Sequence, residues 1–178
     1  MPCAVFESGA ILIYLAEKRG GAFLPASGTA RYEVLKWMMI QMTGLGPMAG
    51  QLVHFRRYAT GDNAYAVDRY TSEMARLYDV LDARLGEVPY LGGADYSIAD
   101  VATFPWVRQL ARLFPEEPVF TALPAGRLPN LRRWADEIAQ RAAVQRTFAQ
   151  VDATPSSMAT ATDEDKDRFF QRGAYSRA

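Results

Sequence analysis

The chain carries 178 residues, 49% of them hydrophobic, with 20 Lys and Arg balanced against 20 Asp and Glu and a single cysteine. That length suits one domain, or one domain and a fragment, whose core needs no covalent staple. The charge balance speaks against a polyanion binder, the lone cysteine excludes a disulfide framework within the chain, and no apolar run approaches the ~20 residues of a membrane helix. Residues 1 to 8 lack the basic region and long apolar stretch of a signal peptide, so the expectation is a cytoplasmic protein with no nucleic-acid or membrane partner.

In chain order, Ala4-Val5-Phe6 reads as the end of a strand. Ser8 precedes Ala10, Ile11, Leu12, Tyr14 and Leu15, and a serine there suits a helix N-cap, its oxygen accepting from an unpaired first-turn N–H. Gly20-Gly21 supplies the stop, so residues 4 to 19 are predicted as strand end, turn and helix. A second helical region runs from about Thr29 to Arg57, with Tyr32, Leu35, Met39 and Met42 at helical spacing. Gly44-Leu45-Gly46-Pro47 interrupts it, and the proline predicts a kink or break.

The clearest helix covers about Ala64 to Leu85: Val67, Tyr70, Met74, Leu77 and Leu81 mark one face, Arg69, Glu73 and Arg76 the other. After the turn at 91–93, Ser97 and Asp100 are predicted as a capping box, with Asp in place of the usual Glu or Gln. That helix continues to about Phe114, with a kink expected at Pro105. Residues 115 to 128, with Pro115, Pro118 and Pro124, form a connection. A helix from Pro129 turns Leu131, Trp134 and Ile138 inward, and a short one covers Ala143 to Gln150. Beyond it no helical periodicity is evident, which predicts a mobile tail anchored, if at all, by Phe169, Phe170 and Tyr175.

Phe6-Glu7-Ser8-Gly9-Ala10-Ile11-Leu12-Ile13-Tyr14-Leu15-Ala16-Glu17-Lys18 resembles the last strand and third helix of the thioredoxin-like half of a glutathione transferase. Tyr96-Ser97-Ile98-Ala99-Asp100 resembles the capping box of that family's helical half. Gly44-Leu45-Gly46-Pro47-Met48, His54-Phe55, Tyr65-Ala66, Arg69-Tyr70 and Arg76-Leu77-Tyr78 are similar to the bacterial Nu-class branch, associated with glutathione-dependent disulfide-bond reductases, and to the yeast prion-like homologue.

The resemblance spans about residues 5 to 149. It implies an all-α fold, a helical bundle of the glutathione transferase C-terminal type at residues 29–150. A strand-helix remnant of the thioredoxin-like domain at 1–20 and a linker at 21–28 precede it, and a flexible tail at 151–178 follows. It also implies glutathione as cosubstrate, no metal, an unidentified electrophile or disulfide as second substrate, and a possible homodimer. Family members carry more of the thioredoxin-like half ahead of the Glu-Ser pair. The residue that activates the thiolate is therefore expected outside this chain, the catalytic residue is left unassigned, and the chain alone is expected to be inactive. The alternative is a non-catalytic helical binding or dimerisation module.

By resemblance, Glu7 and Ser8 hold the γ-glutamyl end of glutathione; by spacing alone, Ser8 is an N-cap and Glu7 a first-turn charge. Arg76 has two readings as well. The family pattern has it reach glutathione across a dimer interface, while its spacing from Glu73 suits a solvated ion pair. Ser97 and Asp100 are read as structural. His54 is the only histidine, so no His-based metal cluster is available, and Cys3 has no neighbour that would lower its pKa. Of the aromatics, Trp134 and Tyr78 are assigned to the core and Trp106, beside Pro105, to a pocket.

Overall fold

The computed structural model describes residues 4–117, 120 and 127–170. Cys3, Pro118, Pro124 and Tyr175 lie outside the described residues. Among the described residues eight α-helices follow one another: α1 (Ser8–Lys18), α2 (Gly28–Ile40), α3 (Gly46–Arg57), α4 (Ala64–Glu87), α5 (Ile98–Leu113), α6 (Pro129–Ala139), α7 (Ala142–Ala153) and α8 (Asp163–Phe170). No strand forms among the described residues, in keeping with the all-α expectation. Ala4-Val5-Phe6, expected as a strand end, is irregular backbone, since no second strand among the described residues offers it a ladder.

Where a kink or break is expected around Gly44–Pro47, the structure has a π-helical turn and no gap in the helical chain. Gln41–Leu45 form a π-helical turn and α3 starts directly at Gly46, with Pro47 in its first turn. A proline is tolerated there because first-turn N–H groups lack helical acceptors anyway. The extra residue of the π-turn is absorbed where backbones and side chains crowd. A Cβ on Gly46 would sit 2.7 Å from Gln41 Nε2 and 3.5 Å from Trp106 Cε2. Helix α5 likewise continues through Pro105.

α3 packs on α4, α2 and α1 on α5, and α4 on α6. The core between them contains Met38, Leu52, Met74, Leu81, Leu131 and Ile138, each at most 1% exposed, with Trp134 and Tyr78 beside them as expected. Fully burying one such aliphatic side chain contributes roughly 1.5–3 kcal/mol. One long-range cap positions α6. Asp82 of α4 accepts from the Asn130 and Leu131 N–H groups, both at 2.9 Å, just past Leu128, a non-glycine residue at φ 75°.

The C-terminal segment differs from the sequence expectation. Helix α7 extends to Ala153, Ser157–Ala159 form a 3₁₀ turn, and α8 occupies residues expected to lack helical structure. The physical reason is local. Thr162 Oγ1 accepts from the Asp165 N–H at 3.1 Å, while Asp165 Oδ2 accepts from the Thr162 N–H at 3.0 Å, a capping box in front of an acidic first turn. Phe170 then stacks on Tyr58 at 4.4 Å between centroids, which fixes α8 against the end of α3.

Candidate functional site

The head of α1 is built from an unusual backbone. Glu7 is the N-cap, with φ 66° and ψ 122°, so Ser8 is the first helical residue rather than the cap. A non-glycine residue in that region costs ~1–3 kcal/mol and persists only where its surroundings hold it. The first helical hydrogen bond runs from the Ile11 N–H to the Glu7 carbonyl at 2.9 Å, so the amides before Ile11 have no helical acceptor. Their dipoles and the helix's positive end point to one place, a setting that favours an anion. Glu7 and Ser8 are both exposed there.

Close packing holds this head in position. Gly9 is buried, and a Cβ on it would lie 3.2 Å from Met42 Sδ in the π-turn. Ser8 Oγ faces the same sulfur at 3.8 Å. At the other end of α1, Glu17 takes a hydrogen bond from Arg31 of α2 at 2.6 Å. The outer face of α1 remains uncovered: Phe6, Ile11, Tyr14 and Leu15 are all exposed.

Arg76 lies apart from this group. Its Nε and Nη2 donate to the two carboxylate oxygens of Glu73 at 3.0 and 2.6 Å, and its side chain stays 60% exposed. That hydrogen-bonded guanidinium holds the Glu73 carboxyl below its ordinary range. Within the chain the ion pair is thus formed, and no hydrogen bond joins Arg76 to Glu7 or Ser8 among the described residues.

Asp100 is structural and more deeply involved than a cap requires. Completely buried, it accepts from the Leu91 N–H and Trp134 Nε1 on one oxygen, at 2.9 and 2.8 Å. Its other oxygen takes the Ser97 N–H and Oγ, at 2.9 and 3.0 Å, and Ser97 Oγ accepts in turn from the Ala99 N–H. Burial pushes the Asp100 carboxyl up, and the hydrogen bonds oppose that shift. The α5 start, the turn at Leu91 and helix α6 therefore share one carboxylate.

A cleft of about 1170 Å³ opens between α3, α5 and the C-terminal segment. Trp106 lines it, as the sequence anticipates for a pocket residue, and His54 stands on the α3 wall 5.8 Å from the Phe170 ring. Arg57, Arg112, Lys166 and Phe170 also line it. Sequence reasoning takes Phe170 only as a possible tail anchor and passes over the other three; the signal is helical spacing, His54 with Arg57 on α3 and Lys166 with Phe170 on α8. Tyr32 and Tyr65 are exposed on other surfaces, and Tyr70 stacks on Phe55. No group of three or more His, Cys, Asp or Glu that could hold a metal occurs among the described residues. No described helix is long and apolar enough to cross a membrane.

Residues 64–137 match the family model for the glutathione S-transferase C-terminal domain. The chain is 43% identical over 142 residues to the disulfide-bond oxidoreductase YfcG of Escherichia coli, covering 80% of this chain and 62% of that protein. Identity to YghU, a disulfide-bond oxidoreductase of the same organism, is 40% over 146 residues, 82% of this chain and 50% of that protein. A Burkholderia graminis glutathione transferase, solved with two glutathione molecules per subunit, superposes with a TM-score of 0.73 at 42% identity, over 82% of this chain and 60% of that one. A Pseudomonas putida glutathione transferase with one glutathione disulfide per subunit gives 0.73 at 38% identity, over 82% and 62%.

The helices thus have the fold of the glutathione S-transferase C-terminal domain. The chain belongs to the glutathione S-transferase family, and its similarity to the two oxidoreductases places it in the Nu-like, disulfide-bond reductase branch. It spans between half and about three-fifths of the length of those curated relatives.

Proposed function

We propose that this chain is the glutathione-holding and helical part of a cytoplasmic glutathione-dependent transferase or disulfide-bond reductase. Glu7 and Ser8 receive the γ-glutamyl end of the tripeptide. The strained Glu7 backbone at the head of α1 is the observation that carries this reading. It leaves the exposed Glu7 and Ser8 next to the unpaired first-turn amides, where a carboxylate and an ammonium can be held side by side. In a homodimer, Arg76 of the partner would exchange Glu73 for the glutathione carboxylate, a bidentate pairing that the planar guanidinium suits.

Glutathione reacts as thiolate. In disulfide reduction it attacks one sulfur of the substrate, forms a mixed disulfide and expels the other sulfur as thiolate; a second glutathione thiolate then releases glutathione disulfide. In the transferase reading the same thiolate adds to an electrophilic carbon. The group that addresses the sulfur belongs, by the family resemblance, to the thioredoxin-like half, and this chain supplies the binding groups. The exposed outer face of α1, with Ile11, Tyr14 and Leu15, fits a helix that takes a sheet on that side.

The test is amide chemical-shift mapping with millimolar glutathione on the 178-residue chain. The expected result is perturbation of the Ser8, Gly9 and Ala10 amides, weakened at least about tenfold in Ser8→Ala, the loss of one charge-assisted hydrogen bond. Unmoved amides at saturating glutathione would overturn the assignment.

A further inference from the structure

At the head of α1, Ser8 stands exposed, and its hydroxyl has to point one way before a ligand gains from it. An exposed serine ordinarily exchanges among staggered rotamers. Here the hydroxyl has one hydrogen-bond partner among the described residues, the Met42 sulfur at 3.8 Å. That sulfur belongs to another element, the π-helical turn Gln41–Leu45, and is 34 positions away along the chain.

The contact sits in a fitted seat. Gly9 is buried against the thioether: a Cβ there would lie 3.2 Å from Met42 Sδ and 3.4 Å from both Cγ and Cε. A larger residue at position 9 would therefore push the methionine off the helix head. Met42 is half-buried and packs against the hydrophobic core, which limits how far it can swing away. Methionine suits the place, since its unbranched chain fills an irregular gap and still brings a polarisable sulfur to the end of its reach.

The strength of the bond matters as much as its direction. A thioether is a weak acceptor, so it biases the hydroxyl without locking it. With the hydrogen directed at sulfur, the oxygen keeps its lone pairs for an ammonium. A carboxylate can take the hydrogen instead, because a charge-assisted bond outweighs one to sulfur. Either charged group of a γ-glutamyl end thus meets a hydroxyl already held beside the free first-turn amides.

We propose that Met42 is a positioning residue for glutathione: its sulfur preselects the Ser8 rotamer and so lowers the ordering cost of binding. This role rests on the glutathione reading above.

The experiment uses the full 178-residue chain. In the absence of glutathione, the Ser8 α–β proton couplings should show one dominant rotamer, and Met42→Leu, which keeps apolar volume and removes the acceptor, should average them. Glutathione titrations followed at the Gly9 and Ala10 amides should give a Kd about two- to fivefold weaker in Met42→Leu. In a Ser8→Ala background the same change should cost less than about 1.5-fold, because no hydroxyl remains to be positioned. Averaged Ser8 couplings in the parent chain, a measurement that needs no variant, would overturn the role. So would a Met42→Leu penalty equally large with and without the Ser8 hydroxyl, which would make Met42 mere packing. Both outcomes leave glutathione binding standing. The absence of any glutathione shift at Ser8–Ala10 in the parent chain would retire the glutathione reading and this role with it.

Discussion

Replacing Asp100 with asparagine tests whether one carboxylate ties three elements together. In the native chain two oxygens serve four donors: Leu91 N–H and Trp134 Nε1 on one, Ser97 N–H and Oγ on the other. Asparagine keeps one acceptor oxygen and turns an N–H₂ toward the remaining two donors, whichever way the amide is placed. Each buried donor left without an acceptor costs about 1–3 kcal/mol, and no longer burying a charge returns part of that. The net loss should be about 2–4 kcal/mol, or a fall in Tm of roughly 5–15 °C at 2–4 °C per kcal/mol for a chain of this size. Urea unfolding followed by far-UV circular dichroism measures it, with the midpoint shifting at constant slope.

A pH series adds a sign to that prediction. Burial raises the Asp100 pKa above its ordinary 3.8, so the folded state holds this proton more tightly than the unfolded state does. The carboxyl's contribution is therefore complete below the unfolded pKa and declines as pH rises through the higher folded value. The gap between wild type and Asp100→Asn should narrow from pH 4 upward and level off above the folded pKa. A loss below about 1 kcal/mol would refute the four-donor account, and a gap that widens with pH would refute the dominance of burial.

Three further changes probe other positions. Gly46→Ala places a Cβ 2.7 Å from the buried Gln41 amide, so it should destabilise by about 1–3 kcal/mol in urea unfolding and displace the Trp106 indole resonance. Asp82→Ala removes the cap on α6 and should cost about 1–2 kcal/mol, with faster hydrogen exchange at Asn130 and Leu131 than elsewhere in the helix. Glu7→Gly relieves the φ of 66°, so thermal unfolding should show stability held or raised by up to about 1 kcal/mol, while glutathione binding weakens; a clear loss of stability would mean that the backbone there is not strained.

The sequence discloses what is local. The Ser97–Asp100 box spans four residues and is legible as such, but the Leu91 and Trp134 donors reach Asp100 only through packing. The Thr162–Asp165 box has the same spacing, and the scarcity of aliphatic residues after 151 obscures it, because α8 is held by an aromatic stack and not by an apolar stripe. The Arg76–Glu73 pair is readable from its three-residue spacing. At the head of α1, residue types locate the start of the helix, whereas the cap lies one position earlier than Ser8, since nothing in a glutamate announces a positive φ. Arg57, Arg112 and Lys166 stand about fifty residues apart along the chain, so their common cleft follows from the placement of α3, α5 and α8 and from no motif.

The π-turn carries a consequence for how the two sites stay in register. Met42, inside that turn, touches the head of α1, and Gly50, on the cleft wall, lies eight residues further along the same continuous rod. Helical rise puts about 12 Å between them, and each residue added or removed in the turn would swing α3 by roughly 100° about its axis. The single extra residue at Gln41–Leu45 thus works as an angular index. It sets which side of α3 looks into the cleft and, through Met42, seats the head of α1, so insertions or deletions there would disturb both places at once.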